Sequence, residues 1–279
     1  MVQPFKQLCC PLNCGSELVL DSKTWRCDNG HTFDVAKQGY VNLLPVQNKR
    51  SKDPGDSKAM VQARAEFLAS GFYQPLAAEI TRMALQHNPR TLLDAGCGEG
   101  YYLRHVLQTA EEQGQRLDVV ALDISKWAVQ AAARGDNRTT WLVASNNQIP
   151  IAAGSIDALL CVFGFPVEAE FARVLAPNGR LIMVDPAENH LIELKAVIYE
   201  AVKTKPYQLP ITGDNWQLAS EQRVTFTVTL PTNQAVRDLL IMTPHLYRAS
   251  SDGRARAEAL ETLTVTVDVW LREFTHANA

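Results

Sequence analysis

The run Thr91-Leu92-Leu93-Asp94-Ala95 passes directly into Gly96-Cys97-Gly98-Glu99-Gly100, and a helical stretch opens at Tyr101-Tyr102-Leu103. A short apolar run ending in closely spaced glycines before a helix reads as a buried strand, a tight turn and a helix N-terminus. With no Cβ in the way, such a turn lets a ligand approach the backbone closely. Dinucleotide-binding folds use a similar turn to hold a pyrophosphate. Asp94, two positions before the first glycine, would repel a pyrophosphate but suits the amino group of a zwitterionic methionine moiety. The turn therefore favours S-adenosylmethionine (SAM) over NAD as the ligand.

A second acid supports this reading. Val119-Val120-Ala121-Leu122-Asp123 reads as the next parallel strand, with a carboxylate at its tip placed to accept both ribose hydroxyls. Helix capping is the competing role for Asp123. Strands at 91–95, 118–123, 140–144, 156–163 and 179–185, with helices between most of them, predict an α/β doubly wound, mostly parallel sheet. The alternating segments 224–229 and 263–270 complete it as an antiparallel pair. Asp185, at the end of the fifth strand, is the candidate proton acceptor. Phe163 and Phe165, at the end of the fourth, are placed to stack on a flipped base or to serve as core or lid aromatics. His190 opens a helix within reach of the same crevice, placed to contact the cofactor carboxylate or incidental to the helix start. Ahead of the sheet, Asp56 or Ser57 caps a helix from Lys58 to Ser70, with Met60, Val61, Arg64, Phe67 and Leu68 on one face and Gly71 at its end.

The N-terminus carries different chemistry. Four of the six cysteines fall at Cys9, Cys10, Cys14 and Cys27, followed by His31. Cys10-x3-Cys14 and Cys27-x3-His31 form two close pairs, each able to project its ligands from one turn, together a tetrahedral Cys3His site. Two adjacent cysteines do not easily face one zinc, so Cys10 is taken as the ligand and Cys9 as a spare. Four protein ligands leave no open position, which makes the zinc structural. Glu17–Leu20 and Thr24–Arg26 alternate like hairpin arms, and Gly39–Pro45 reads as a strand closing the small module. So small a unit depends on its metal for stability.

The chain has 279 residues and a formal charge of −3, so nucleic-acid binding would have to come from a local patch. Residues 1–60 carry 8 Lys and Arg against 6 Asp and Glu; with 27 and 30 in the whole chain, the remainder carries 19 against 24. Lys49, Arg50 and Lys52, in the linker after the zinc module, are the candidate RNA-gripping residues. No long apolar run and no signal-like N-terminus is present, so the expected location is the cytoplasm, with no membrane contact. Structural disulfides are rare there, which also favours metal for the clustered cysteines.

The segments Cys10-Pro11-Leu12, Cys27, His31-Thr32-Phe33-Asp34-Val35-Ala36-Lys37 and Gly39–Leu44 resemble the large-subunit rRNA methyltransferase A family. So do Gly71–Leu76, Leu93–Tyr102 and Met242-Thr243-Pro244, and the resemblance covers essentially the whole chain. It implies a class I SAM-dependent methyltransferase, Rossmann-like with a seven-stranded, mostly parallel sheet, joined to a zinc-ribbon-like RNA-recognition domain. The divisions expected are 1–45 for the zinc domain, 46–72 for a linker and helix, and 73–279 for the methyltransferase domain. The implied reaction is methylation of guanine N1 in the helix 35 hairpin of 23S rRNA. The linker Pro45–Asp56 is similar to that of the relatives choosing guanine 745 rather than 748. Carried over by position, Cys10, Cys14, Cys27 and His31 hold zinc, and Tyr73, Gly98, Glu99 and His190 contact SAM. Asp94, Gly96, Gly100 and Asp123 join that cofactor set. The resemblance further implies a homodimer whose halves form one RNA cleft. Two departures are the extra residue in Cys10-x3-Cys14 and Pro177-Asn178-Gly179 where Pro-Gly-Gly is usual. The alternatives are a small-molecule methyltransferase with a structural zinc module, and an RNA-binding protein that only senses SAM.

Overall fold

The computed structural model describes residues 4–48, 51–202 and 207–277. Near the N-terminus, β1 (Val19–Asp21), β2 (Thr24–Arg26) and β3 (Thr32–Asp34) form a small antiparallel sheet in that order. The remaining strands are β4 (Tyr40–Asn42), β5 (Thr91–Ala95), β6 (Asp118–Asp123), β7 (Thr140–Val143), β8 (Ile156–Val162), β9 (Leu175–Pro186), β10 (Trp216–Leu230) and β11 (Leu263–His276). They form one eight-stranded sheet in the order β10-β11-β9-β8-β5-β6-β7-β4. Pairing is parallel from β9 through to β4 and antiparallel on both sides of β11.

This is the class I methyltransferase architecture with one strand more than expected. Tyr40–Asn42 does form a strand, but it does not close the small module: it pairs in parallel with Trp141–Val143 at the edge of the large sheet.

The central strands are apolar throughout because both faces are covered. Leu92, Leu160 and Val184 lie in one core with the helices Gln74–Leu85, Tyr101–Glu112 and Ile192–Ile198. Leu93, Cys161 and Met183 lie in the other, with Phe171 of the helix Glu168–Val174 and with Phe5, Leu8, Leu18 and Trp25 of the zinc module. No helix forms between β7 and β8; that space is taken by the module, whose Leu8 bridges Ile151 and whose Cys9 amide donates to the Pro150 carbonyl at 2.9 Å. The antiparallel pair runs longer than the sequence suggests, with register from Trp216↔His276 to Leu230↔Leu263.

Strand order reverses at β5, which is flanked by β6 and β8. A ligand crevice is expected outside the carboxyl ends of strands at such a point. The glycine turn follows β5 directly. The helix Lys58–Ala69 passes beside it, capped by the Ser57 hydroxyl, which accepts from the Met60 amide at 3.3 Å.

Candidate functional site

The glycine turn is folded tightly onto β6. The Gly96 and Cys97 amides both donate to the Leu122 carbonyl, at 2.8 and 3.0 Å. Gly96 has φ of +92°, and a Cβ built there would meet nothing within 4 Å, so that flank stands open to a ligand. Gly100 differs: a Cβ there would lie 2.8 Å from the Trp141 ring, so its missing side chain makes room for that ring.

Three acids surround the turn. Asp94 is 2% exposed, its Oδ1 has no hydrogen-bond partner, and burial with nearby Asp123 and Glu99 pushes its carboxyl up to about 8. Glu99 is buried too, with Oε1 unpartnered and its carboxyl raised by desolvation against the pull of Arg64 and Arg104. Buried acceptors without partners are costly, and they mark places where a donor belongs. Asp123 is half-buried and already fastened: Oδ2 accepts from the Gly98 amide at 3.0 Å and Oδ1 from the Ser125 amide at 2.7 Å. Burial raises its carboxyl while those two bonds lower it. Helix capping falls instead to Ser125, whose hydroxyl accepts from the Ala128 amide at 3.3 Å, while Asp123 holds the turn before it and keeps a second lone pair on each oxygen. Open glycine surface, orphaned acceptors and a carboxylate at the β6 tip fit the methionine and ribose parts of SAM.

Tyr73 packs edge-on between Phe67 and Phe226, ring centroids 5.4 and 6.4 Å away, with its buried hydroxyl unpartnered and its ionisation pushed up by desolvation. His190 stacks on Phe163 at 5.7 Å, and its Nδ1 accepts from the Asp268 amide at 3.3 Å. Burial pulls its imidazole down to about 3, so it is neutral and offers only Nε2–H. Phe163 itself has φ of +53°, an uncommon conformation for a bulky residue, and Phe165 is fully out in solvent. Asp185 lies at the end of β9, ion-paired with Arg272 at 3.4 Å; burial raises its carboxyl and Arg272 opposes that.

Arg64 was legible only as a member of a helix face. In the fold its guanidinium reaches the glycine turn, 3.8 Å from where a Cβ on Gly98 would stand. A signal was present: an arginine in the apolar stripe of a helix needs a buried partner.

At the second site, Cys10, Cys14, Cys27 and His31 converge, all four ligand atoms within 4.8 Å of one another. Cys10 and Cys27 sulfurs lie 3.5 and 3.3 Å from His31 Nδ1, and Cys14 lies 3.8 Å from Cys27. Zinc bonds of ~2.3 Å to sulfur and ~2.0 Å to nitrogen give tetrahedron edges of roughly 3.5 to 3.8 Å. The donor set fits zinc. Cys9 stands outside it, bridged to Glu17, with its thiol pushed up by burial. The extra residue between Cys10 and Cys14 is absorbed by Asn13 in a left-handed conformation, φ +56°. Of the basic linker residues, Lys49 and Arg50 lie outside the described residues, and exposed Lys52 borders a cleft with Asn42, Lys126 and Trp127.

Residues 8–52 match the family model described as RlmA, N-terminal, and residues 93–183 match a general methyltransferase domain. A Streptomyces fradiae protein named 23S rRNA (guanine(748)-N(1))-methyltransferase is 40% identical over 194 residues, spanning 68% of this chain and 66% of its own length. A Bacillus subtilis (strain 168) protein, YxjB, provisionally named for 23S rRNA guanine-N1 methylation, is 30% identical over 275 residues, 95% of each chain. The chain belongs to the RlmA family. As in that family, a SAM-dependent methyltransferase domain is joined to a zinc ribbon, here through β4 in one continuous sheet. Among the described residues no helix is long and apolar enough to cross a membrane.

Proposed function

We propose that this RlmA-family chain methylates N1 of a guanine in the helix 35 hairpin of 23S rRNA, at the 745-type position, as a homodimer. The observation that carries the reading is the union of a Cys3His centre and a SAM-type glycine turn on one sheet, together with full-length similarity to a chain named for this chemistry. The 745 position is supported by the linker Pro45–Asp56 and stands against the 748 in the name of the Streptomyces relative. The proposed division keeps 1–45 as the RNA-recognising part, 46–72 as linker and helix, and 73–279 as the catalytic domain.

SAM, when bound, supplies an electrophilic methyl on a sulfonium. The chain's own work is alignment, since in-line displacement depends on near-contact geometry. Asp94 and Glu99 present orphaned acceptors to the methionine end, and Asp123 offers its remaining lone pairs to the ribose. Phe163, locked against neutral His190, forms an aromatic wall at the end of β8 on which a flipped guanine stacks. Guanine N1 carries a proton that must leave as the bond forms, and Asp185 at the end of β9 is the acceptor proposed. Its raised carboxyl makes it a better base than a free aspartate, while Arg272 keeps it ionised. Lys49, Arg50 and Lys52 supply phosphate contacts that set register without reading sequence.

Two hairpin RNAs test the position: one with only the 745-type guanine replaced by adenine, the other with only the 748-type guanine replaced. Methylation lost in the first and kept in the second supports the proposal. The reverse pattern assigns the chain to the 748 type.

A further inference from the structure

Arg64 is half-buried on the helix Lys58–Ala69, beside its buried residues Met60, Val61, Phe67 and Leu68. Its charge is held from two sides. Nη1 pairs with Asp56 Oδ2 at 2.5 Å, and Nη2 donates to the Met242 carbonyl at 3.0 Å. A guanidinium has five N–H donors, and these two bonds leave three without a partner among the described residues. The linker and the Met242-Thr243-Pro244 segment, far apart in sequence, thus meet on one guanidinium and fix where it points.

It points at the glycine turn, within reach of Gly98, and its field acts on Glu99 and Asp123. Tyr102 lies in electrostatic range of Arg64, Glu99 and Tyr73, which brings the unpartnered Tyr73 hydroxyl into the same neighbourhood. Where ionised, the three acids around the turn would repel any carboxylate. The methionine end of SAM nevertheless carries a carboxylate as well as an ammonium, so the site needs a cation aimed into it. Arg104 is committed elsewhere, donating to the Glu99 carbonyl at 2.6 Å and packing on Gly100 and Gly135. His190 is neutral and belongs to the Phe163 side of the crevice.

We infer that Arg64 receives the α-carboxylate of the SAM methionine moiety, while Asp94 takes the α-ammonium. The inference rests on SAM occupying this turn. Asp56 and Met242 act as positioning groups, which gives the linker next to the zinc module a direct connection to cofactor binding.

Calorimetric titration with SAM and with decarboxylated SAM, which keeps the sulfonium and the amine but lacks the carboxylate, tests it without a turnover assay. Wild type should bind SAM more tightly than the decarboxylated analogue by roughly 10- to 100-fold, the range of a charge-assisted hydrogen bond. Arg64→Gln should lose that preference, binding SAM weakly and the analogue within about threefold of wild type; Arg64→Lys should recover part of it. Equal wild-type affinity for the two ligands, or an equal loss of both in Arg64→Gln with unchanged stoichiometry, overturns the assignment while leaving SAM binding intact. Failure of wild type to bind SAM at all overturns the cofactor reading beneath it.

Discussion

Replacing Asp94 by Asn should make the ligand-free protein more stable and the cofactor site useless. The buried carboxyl is held at about 8 against an ordinary 3.8, so the folded protein binds its proton more tightly than the unfolded chain does. Stability linked to this group is therefore fully present below about pH 4 and is lost progressively as pH rises towards 8. At 1.36 kcal/mol per pH unit the cost is about 4 kcal/mol at pH 7 and about 1.5 kcal/mol at pH 5, as upper bounds before relaxation. Asparagine is nearly isosteric and has no charge to bury, so its stabilising effect should grow with pH over this range. With 2–4 °C per kcal/mol for chains of this order, the gain in Tm at pH 7 should approach roughly 10 °C and shrink to a few degrees at pH 5. SAM should raise the Tm of wild type but not of the variant, which cannot offer a carboxylate to the ammonium. Thermal unfolding at pH 5 to 8, with and without SAM, reads all of this. A variant no more stable than wild type, or a gap that does not widen with pH, would refute the reasoning.

Other outcomes follow from the same geometry. Because β4 is the edge of the large sheet and Trp25 and Leu18 share a core with Leu142 and Phe171, loss of zinc should not stay local. Chelation, or Cys27→Ser, should lower the main unfolding transition by roughly 10 °C or more, given the ~10–16 kcal/mol such centres contribute in isolated peptides; an unmoved transition in calorimetry would contradict it. Asp185→Asn should slow single-turnover methyl transfer by about 100-fold or more, the low end for a general base, while SAM affinity measured by titration stays unchanged. An unchanged single-turnover rate removes Asp185 from the reaction.

The parts of this account that were legible in the sequence share a cause: each is local. The strand–glycine–helix run at 91–103 occupies consecutive positions, the acid at 123 ends the next apolar run, and the ligands pair at short spacing as Cys10/Cys14 and Cys27/His31. Adjacency excludes Cys9 and Cys10 together but does not choose between them; the fold puts Cys10 in the cluster and leaves Cys9 bridged to Glu17. What escaped is set by long-range pairing. Tyr40–Asn42 reads as a strand, but nothing in three residues says that its partner is Trp141–Val143. Asp185 reads as a strand-end proton acceptor with no visible counter-charge, because its cation, Arg272, is 87 positions away. Arg64 reads only as one member of a helix face until Asp56, Met242 and Gly98 are seen around it. Gly100, placed by sequence with the ligand-binding glycines, proves to face Trp141, a residue that only the β6–β7 pairing brings near.

The central claim is the reaction itself. Purified protein, isotopically labelled SAM and 23S rRNA lacking this methyl group should be combined, the RNA digested, and the label located by mass spectrometry. One labelled nucleotide is expected, methylated on guanine N1 within the helix 35 hairpin at the 745-type position. Label on another base, on another atom of guanine or outside that hairpin would contradict it.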